Sequence, residues 1–283
     1  MRNIFTFLLL LLMPIVCVAH TLHIGEMSIP LHTTKYTTPS VNFLIDGDVW
    51  YLPMVKVEQQ NTLHLSYKND VYTVCRGAER KVGNHYFIGA CLVGADDNVY
   101  LESTGTQYID TGVVPDENTK MFIDMQDLSE HAVHNYMGIN CGGGKKRFSI
   151  LSFHEQNVFG AIIPQYRIVS SKAFDNLRHT FELSKTEGYV VDNVAYGDIY
   201  NFNIDTTCTI WIFNDHTLST FLVGRVYKSK IFENDIPLRD FIPVPAGMQI
   251  GDFTVPENGM WDIVEQRFYG NDGTGEFTYG VDE

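Results

Sequence analysis

Basic residues are scarce in this chain of 283 residues: 20 Lys and Arg stand against 34 Asp and Glu, a formal net charge of −14. A surface this acidic repels phosphate backbones, so nucleic acid is not an expected partner. The acids read as a solvated exterior, compatible with a divalent cation without arguing for one. Cysteine is sparse, with five in all, no Cys-x-x-Cys and no dense Cys/His spacing, so a structural zinc site is not supported. No Gly-x-Ser-x-Gly elbow surrounds any serine. Helical apolar periodicity is also missing: no window of about a dozen residues sustains it, and "DLSEHAVHNYM" (127–137) comes nearest.

What is present begins with "MRNIFTFLLLLLMPIVCVA", residues 1–19. One cation at Arg2, an apolar run from Phe7 to Val18 interrupted at Pro14, and a modest Cys-Val-Ala end form the signature of a secretory signal peptide. A membrane anchor is the alternative, but about a dozen apolar residues fall short of roughly 30 Å of hydrocarbon. A lipidated Cys17 is disfavoured by bulky Val16. Cleavage leaves 283 − 19 = 264 residues and a charge of 19 − 34 = −15. The expected location is secreted, periplasmic or cell-surface, with no membrane span in the mature chain. Four cysteines then remain, an even number suited to disulfides. Cys75 and Cys91 flank a short polar loop and are the predicted pair. Proximity of Cys141 and Cys208 is not legible in the sequence.

Two segments are expected after the leader. Residues 20–95 read as a small β unit, with "HTLHIG", "VWYLPMV", "NTLHLSY" and "VYTVC" at strand length, separated by turns at Asp46-Gly47-Asp48 and Lys68-Asn69-Asp70. A unit this small has little core, and a bridge closing about 15 residues would contribute on the order of 3 kcal/mol. Residues 96–283 read as strand after strand, from "KMFIDMQ" (120–126) through "FSILSFH", "VFGAII", "YRIVS", "HTFELS", "GYVVDN", "CTIWIFN" (208–214) and "STFLVGRVYKSKIF" to "RDFIPV", "GMWDIV" and "GEFTYG" (275–280). Asn258-Gly259 and Asp272-Gly273 supply turn chemistry between them. The pattern predicts an all-β antiparallel sandwich.

Two Gly/Thr stretches frame this second segment: "YLESTGTQYIDTG" (100–112) and "FYGNDGTGEF" (268–277). Together with "LRHTFELSK…GYVVDN" and the Gly224–Phe232 pattern "GRVYKSKIF", they resemble the concanavalin A-like, laminin-G-type jelly roll of secreted bacterial and phage-like surface proteins, over about 99–283. The resemblance implies a jelly roll whose first and last strands pair, so the frames are strand-and-turn fixtures. The first stretch is expected as an edge strand, with Gly105 and Gly112 easing bends and Tyr108 and Ile109 on opposite faces.

The resemblance also allows calcium at a sandwich rim, with Asp192, Asn193 and Asp215 as candidate ligands and Asp175 and Asn176 as further positions, although Asp and Asn at such places equally serve to make turns. No other cofactor is expected. Enzymes share the fold, so catalysis must be tested. Retaining glycosidases need two carboxylates roughly 5 Å apart; Asp124 and Asp127 fall on opposite faces of a strand, and Glu130 lies beyond a turn signal. His131 and His134 lack the intervening Glu of zinc proteases, and His179 reads as a core histidine. For sugars, aromatics supply stacking and Asn/Asp bind hydroxyls. Tyr136, Trp211, Asn214 and Asp215 are the expected ligand-binding residues, with Trp261 an edge cover. The loop "NCGGGKKRFS" joins glycines to Lys145, Lys146 and Arg147; it reads as a solvated loop or an anion grip. The expectation is a non-catalytic binding protein for carbohydrate or a surface protein. Alternatives are a remote carbohydrate-active enzyme of glucanase or lyase type, or a structural envelope or appendage component.

Overall fold

A computed structural model describes side chains for residues 79–283, apart from 130–132, 143–145, 154–155, 165, 173, 198–202 and 218; within residues 1–78 it describes the backbone of seven strands. The expected leader, residues 1–19, and the side chain of Cys75 lie outside the described residues. The chain forms two compact units, Met1–Arg76 and Gly77–Glu283. In the first, β1 (Thr21–Ile24) pairs with β2 (Met27–Pro30), β3 (Ser40–Ile45) with β4 (Asp48–Pro53), and β5 (Lys56–Gln59), β6 (Thr62–Tyr67) and β7 (Asp70–Cys75) form an antiparallel meander. All four stretches read as strands in this segment are strands.

The second unit opens with β8 (Glu79–Val82), β9 (His85–Ile88) and β10 (Cys91–Ala95), a small antiparallel sheet. These residues were expected in the first unit; the boundary instead falls at Arg76/Gly77. Burial explains the difference. Phe87 and Leu92 are 1% and 0% exposed, and they form a second core with Ile242, Val244, Ile250, Val255 and Trp261. Cys91 is disulfide-bonded.

The sandwich follows: β11 (Val99–Thr104), β12 (Ile109–Asp110), β13 (Thr119–Asp127), β14 (Asn135–Asn140), β15 (Arg147–Phe153), β16 (Val158–Ile163), β17 (Tyr166–Ala173), β18 (Arg178–Ser184), β19 (Gly188–Val191) and β20 (Val194–Tyr196). Then come β21 (Trp211–Ile212), β22 (Val223–Glu233), β23 (Ile236–Val244), β24 (Gln249–Ile250), β25 (Phe253–Thr254), β26 (Gly259–Asp262), β27 (Arg267–Tyr269) and β28 (Thr278–Val281). The larger sheet runs β20-β19-β18-β13-β22-β23-β26-β27, with β11 between β22 and β28. The smaller runs β12-β21-β14-β15-β16-β17. All ladders within these sheets are antiparallel. This is the predicted all-β antiparallel sandwich.

Strict alternation builds it. Along β13 the odd-numbered residues from Thr119 to Asp127 are buried, and Met121, Ile123 and Met125 join the core between the sheets. Ile139, Phe148, Ile150 and Phe159 enter it from the smaller sheet. Two expectations are corrected. β14 (Asn135–Asn140) is a strand that the sequence did not announce, beginning inside the stretch that comes nearest to helical periodicity. "CTIWIFN" yields a two-residue strand, because Phe213 turns to φ 71° and ends it.

The framing stretches meet. β11 pairs with β28 as expected, but β22 covers its other side, so β28 and not β11 forms the edge. Gly105 (φ 99°) and Gly112 (φ 71°) make the anticipated bends. Between them Gln107, 1% exposed, accepts from Ser103 Oγ (2.8 Å) and the Thr104 N–H (3.0 Å) and donates to the Glu276 carbonyl (3.1 Å). The Thr274 N–H donates to the Thr106 carbonyl, and a Cβ on Gly273 would lie 2.2 Å from that oxygen. Only glycine allows the two frames to approach this closely.

Candidate functional site

Where the frames meet the smaller sheet, three rings stack face to face. Tyr108 and Trp211 have centroids 3.9 Å apart at 19°, and Trp211 and His216 are 3.6 Å apart at 22°. All three are partly exposed. Alternation puts them there: Ile109 and Ile212 pair across β12–β21 and point into the core, so Tyr108, Asp110 and Trp211 take the outer face. Gly138, at φ 146°, lies opposite Trp211 on β14. A Cβ there would come within 2.2 Å of the Phe148 carbonyl oxygen.

Carboxylates border the stack. Asp272 Oδ2 accepts from the Asp110 N–H (2.9 Å), Asp110 Oδ1 from the Gly112 N–H (2.9 Å), and Asn271 Oδ1 from the Tyr108 N–H (3.3 Å). Burial, then the charges of Asp272 and Asp110, push the Tyr108 hydroxyl above its ordinary value.

The turn after β21 holds His216 in place. Phe213 and His216 adopt φ 71° and 73°, positions that non-glycine residues occupy at a cost of order 1–3 kcal/mol. Asn214 Oδ1 accepts from the N–H groups of Asp215 (2.5 Å) and Thr217 (3.2 Å). Asp215 accepts from Ser149 Oγ (2.9 Å) and Thr217 N–H (3.2 Å), and burial raises its carboxyl above the usual range despite these bonds. His216 Nε2 lies 2.6 Å from the Thr209 carbonyl, to which it donates. A Cys141–Cys208 disulfide ties the end of β14 to the segment entering β21. Trp211 Nε1 and Asn214 Nδ2 are buried without a hydrogen-bond partner. Strained backbone and orphaned donors concentrated in one turn are features of functional sites.

Of the residues expected to bind a ligand, Trp211 lies at this site. Asn214 and Asp215 are beside it but 0% and 1% exposed, and they hold the turn. Tyr136 is corrected outright: it is fully buried among Phe159 and Phe181, with its hydroxyl donating to Asp127 Oδ2 (2.9 Å), so it offers no ring face. Trp261 likewise belongs to the second core. Tyr108 and His216 were missed. Tyr108 stood in the framing stretch, but nothing local signals stacking across about a hundred residues of chain.

The expected calcium ligands do not converge. Asp192 and Asn193 form the two-residue β19–β20 turn at φ 49° and 65°. Asp192 is engaged by Lys172, by His179 Nδ1 (2.8 Å) and by the Thr180 N–H (3.0 Å). Asp215 lies beyond β21 on the other sheet. Calcium takes six to eight oxygens, and both carboxylates already serve internal donors. Asp175 is bound by His179 Nε2 (2.7 Å). Among the glucanase candidates, Asp124 is held by Arg178 through two hydrogen bonds of 2.7 and 2.5 Å. In the glycine loop, Lys146 and Arg147 are exposed, and Arg147 donates to Asn140. Lys145, Glu130 and His131 lie outside the described residues.

No family model and no curated protein matches the chain. Among solved structures it is similar to a native heptameric SAP-like pentraxin from Limulus polyphemus, with 9% identity and a TM-score of 0.44 over 66% of this chain and 97% of that one. It is also similar to a putative carbohydrate binding protein from Bacteroides ovatus, with 10% identity and a TM-score of 0.46 over 85% of this chain and 76% of that one.

Proposed function

We propose that the sandwich is a non-catalytic, exported binding module for carbohydrate. The Tyr108–Trp211–His216 stack at the outer face of the smaller sheet carries this reading. Ring stacks give apolar sugar faces a rigid surface, and Asp110 and Asp272 beside them are acceptors for hydroxyl groups. The expected ligand meets the outer parts of Tyr108 and His216, because both faces of Trp211 are already covered. The non-catalytic reading rests on the engagement of Asp124 with Arg178 and on the internal roles of the buried acids.

The test is a glycan array probed with the exported chain, in calcium and in EDTA, alongside Tyr108→Ala. Binding that persists in EDTA and is lost in Tyr108→Ala, with an unchanged far-ultraviolet spectrum, is the expected result. Binding unaffected by Tyr108→Ala moves the ligand elsewhere on the molecule. Loss in EDTA overturns the metal-free reading. Silence throughout favours a surface protein as ligand or a structural role.

A further inference from the structure

The sulfurs of Cys141 and Cys208 and a ring nitrogen of His216 lie within 4.8 Å of one another, forming the single group of three or more potential metal-ligating His, Cys, Asp or Glu side chains among the described residues. With the disulfide closed, the two sulfurs are bonded to each other and donate no thiolate. We propose that reduction of the Cys141–Cys208 disulfide opens a Cys2His site for a thiophilic divalent cation such as zinc or cadmium. This inference stands apart from carbohydrate binding and does not depend on it.

The geometry favours it on three counts. Ligand atoms around a tetrahedral zinc, at bond lengths of ~2.0–2.3 Å, stand roughly 3.5–3.8 Å apart. The present spacing needs little more than separation of the sulfurs once their bond is gone. Second, His216 Nε2 donates to the Thr209 carbonyl, which fixes the tautomer and leaves Nδ1 as the lone-pair nitrogen. A backbone acceptor on one ring nitrogen is the usual support of a histidine that binds a metal through the other. Third, Trp211 packs flat against the imidazole and the turn holds His216 at φ 73°, so the ring is positioned before any ion arrives. Three protein ligands leave a fourth position for water.

The chemistry balances with a dithiol or a phosphine. Two electrons pass from the reductant to the Cys141–Cys208 bond, giving two thiols in the protein and either a disulfide from the dithiol or, with one water consumed, the phosphine oxide. Binding of the cation then releases the two thiol protons and forms two metal–sulfur bonds.

The experiment reduces the full chain anaerobically with a phosphine and titrates cadmium, following the ultraviolet thiolate-to-cadmium charge-transfer band and tryptophan fluorescence. Reduced wild type should bind one cadmium more per chain than the reduced Cys141→Ser/Cys208→Ser double variant, in which the thiols freed from the Cys91 bridge remain, and should show a correspondingly stronger band; oxidised wild type should show none. His216→Ala should weaken binding by more than the ~10–100-fold that loss of an outer-shell partner costs. Equal bands in reduced wild type and the double variant, or unchanged affinity in His216→Ala, would overturn the site. If reduction alone loosens the sandwich, recovery of the native circular dichroism on adding cadmium supports the site, and failure to recover refutes it.

Discussion

Single side chains with many obligations set the sharpest expectations. Gln107 is buried in the frame junction, serving both donors and acceptors from Ser103 to Glu276. Its removal strands several buried groups at once, each costing about 1–3 kcal/mol if left unpaired. Gln107→Ala should therefore lower unfolding free energy by about 2–4 kcal/mol in urea titrations. Asp262 makes a different case. Burial raises its carboxyl to about 7, although its Oδ1 accepts from the N–H groups of Asp240 and Val264. The folded state keeps the proton to about 7, whereas an unfolded carboxyl releases it near 3.8. This group's stabilising contribution is therefore complete below about pH 4 and is lost as pH rises toward 7. At ~1.4 kcal/mol per pH unit the total is on the order of 4 kcal/mol. Asp262→Asn keeps the Oδ1 acceptor and cannot ionise. Its stability relative to wild type should shift in its favour between pH 4 and 7; a constant difference across that range would show that burial does not hold the proton.

Among the elements, the turn following β21 depends on a constraint that is remote in sequence. The Cys141–Cys208 bridge spans 67 positions of chain, and a loop of that size carries about 4 kcal/mol of closure entropy in the chain-entropy account. Replacing both cysteines by serine should cost about 2–4 kcal/mol in equilibrium unfolding. The strand pattern was readable here from alternation, as β13 shows. The two-residue length of β21 was not, because the positive φ of Phe213 answers to the buried Asn214 and Asp215 behind it and not to any local turn residue.

Across the whole molecule, one ionic cluster fastens the two sheets at their open side. Lys172 on β17 of the smaller sheet reaches Asp192 in the β19–β20 turn of the larger, and His179 lies between Asp192 and Asp175. Burial disfavours the charge on Asp192, but hydrogen bonds from Lys172, the Thr180 N–H and His179 outweigh it and hold the carboxyl below 3.8. Asp175 is lowered in the same way, burial being overcome by His179 and the Leu177 N–H. With folded values below unfolded ones, this contribution is present above about pH 4 and is lost as pH falls further. Asp192→Asn should weaken the fold at pH 7 and flatten its acid unfolding below pH 4, observed by circular dichroism. An acid limb as steep as that of wild type would place the sensitivity in other carboxylates.

The sequence by itself determined the fold class and most of the strands of the sandwich, while the pairing of its framing stretches was implied by the family resemblance alone. Period-2 alternation and glycine turns are local signals, and a one-residue slip would turn a core face outward. It offered Trp211 without deciding between a binding ring and a core ring, since isoleucines flank it on both sides. Tertiary structure decided the remainder. It brought Tyr108, Trp211 and His216 into one stack, set Cys141 beside Cys208, turned Tyr136 inward and gave Asp192 to Lys172 and His179. It also moved residues 77–95 into the second unit, where Phe87 and Leu92 find a core. Each of these depends on side chains that are distant in sequence meeting across a sheet or between sheets. Strand register and long-range burial create those meetings, and no local stretch of the chain encodes them.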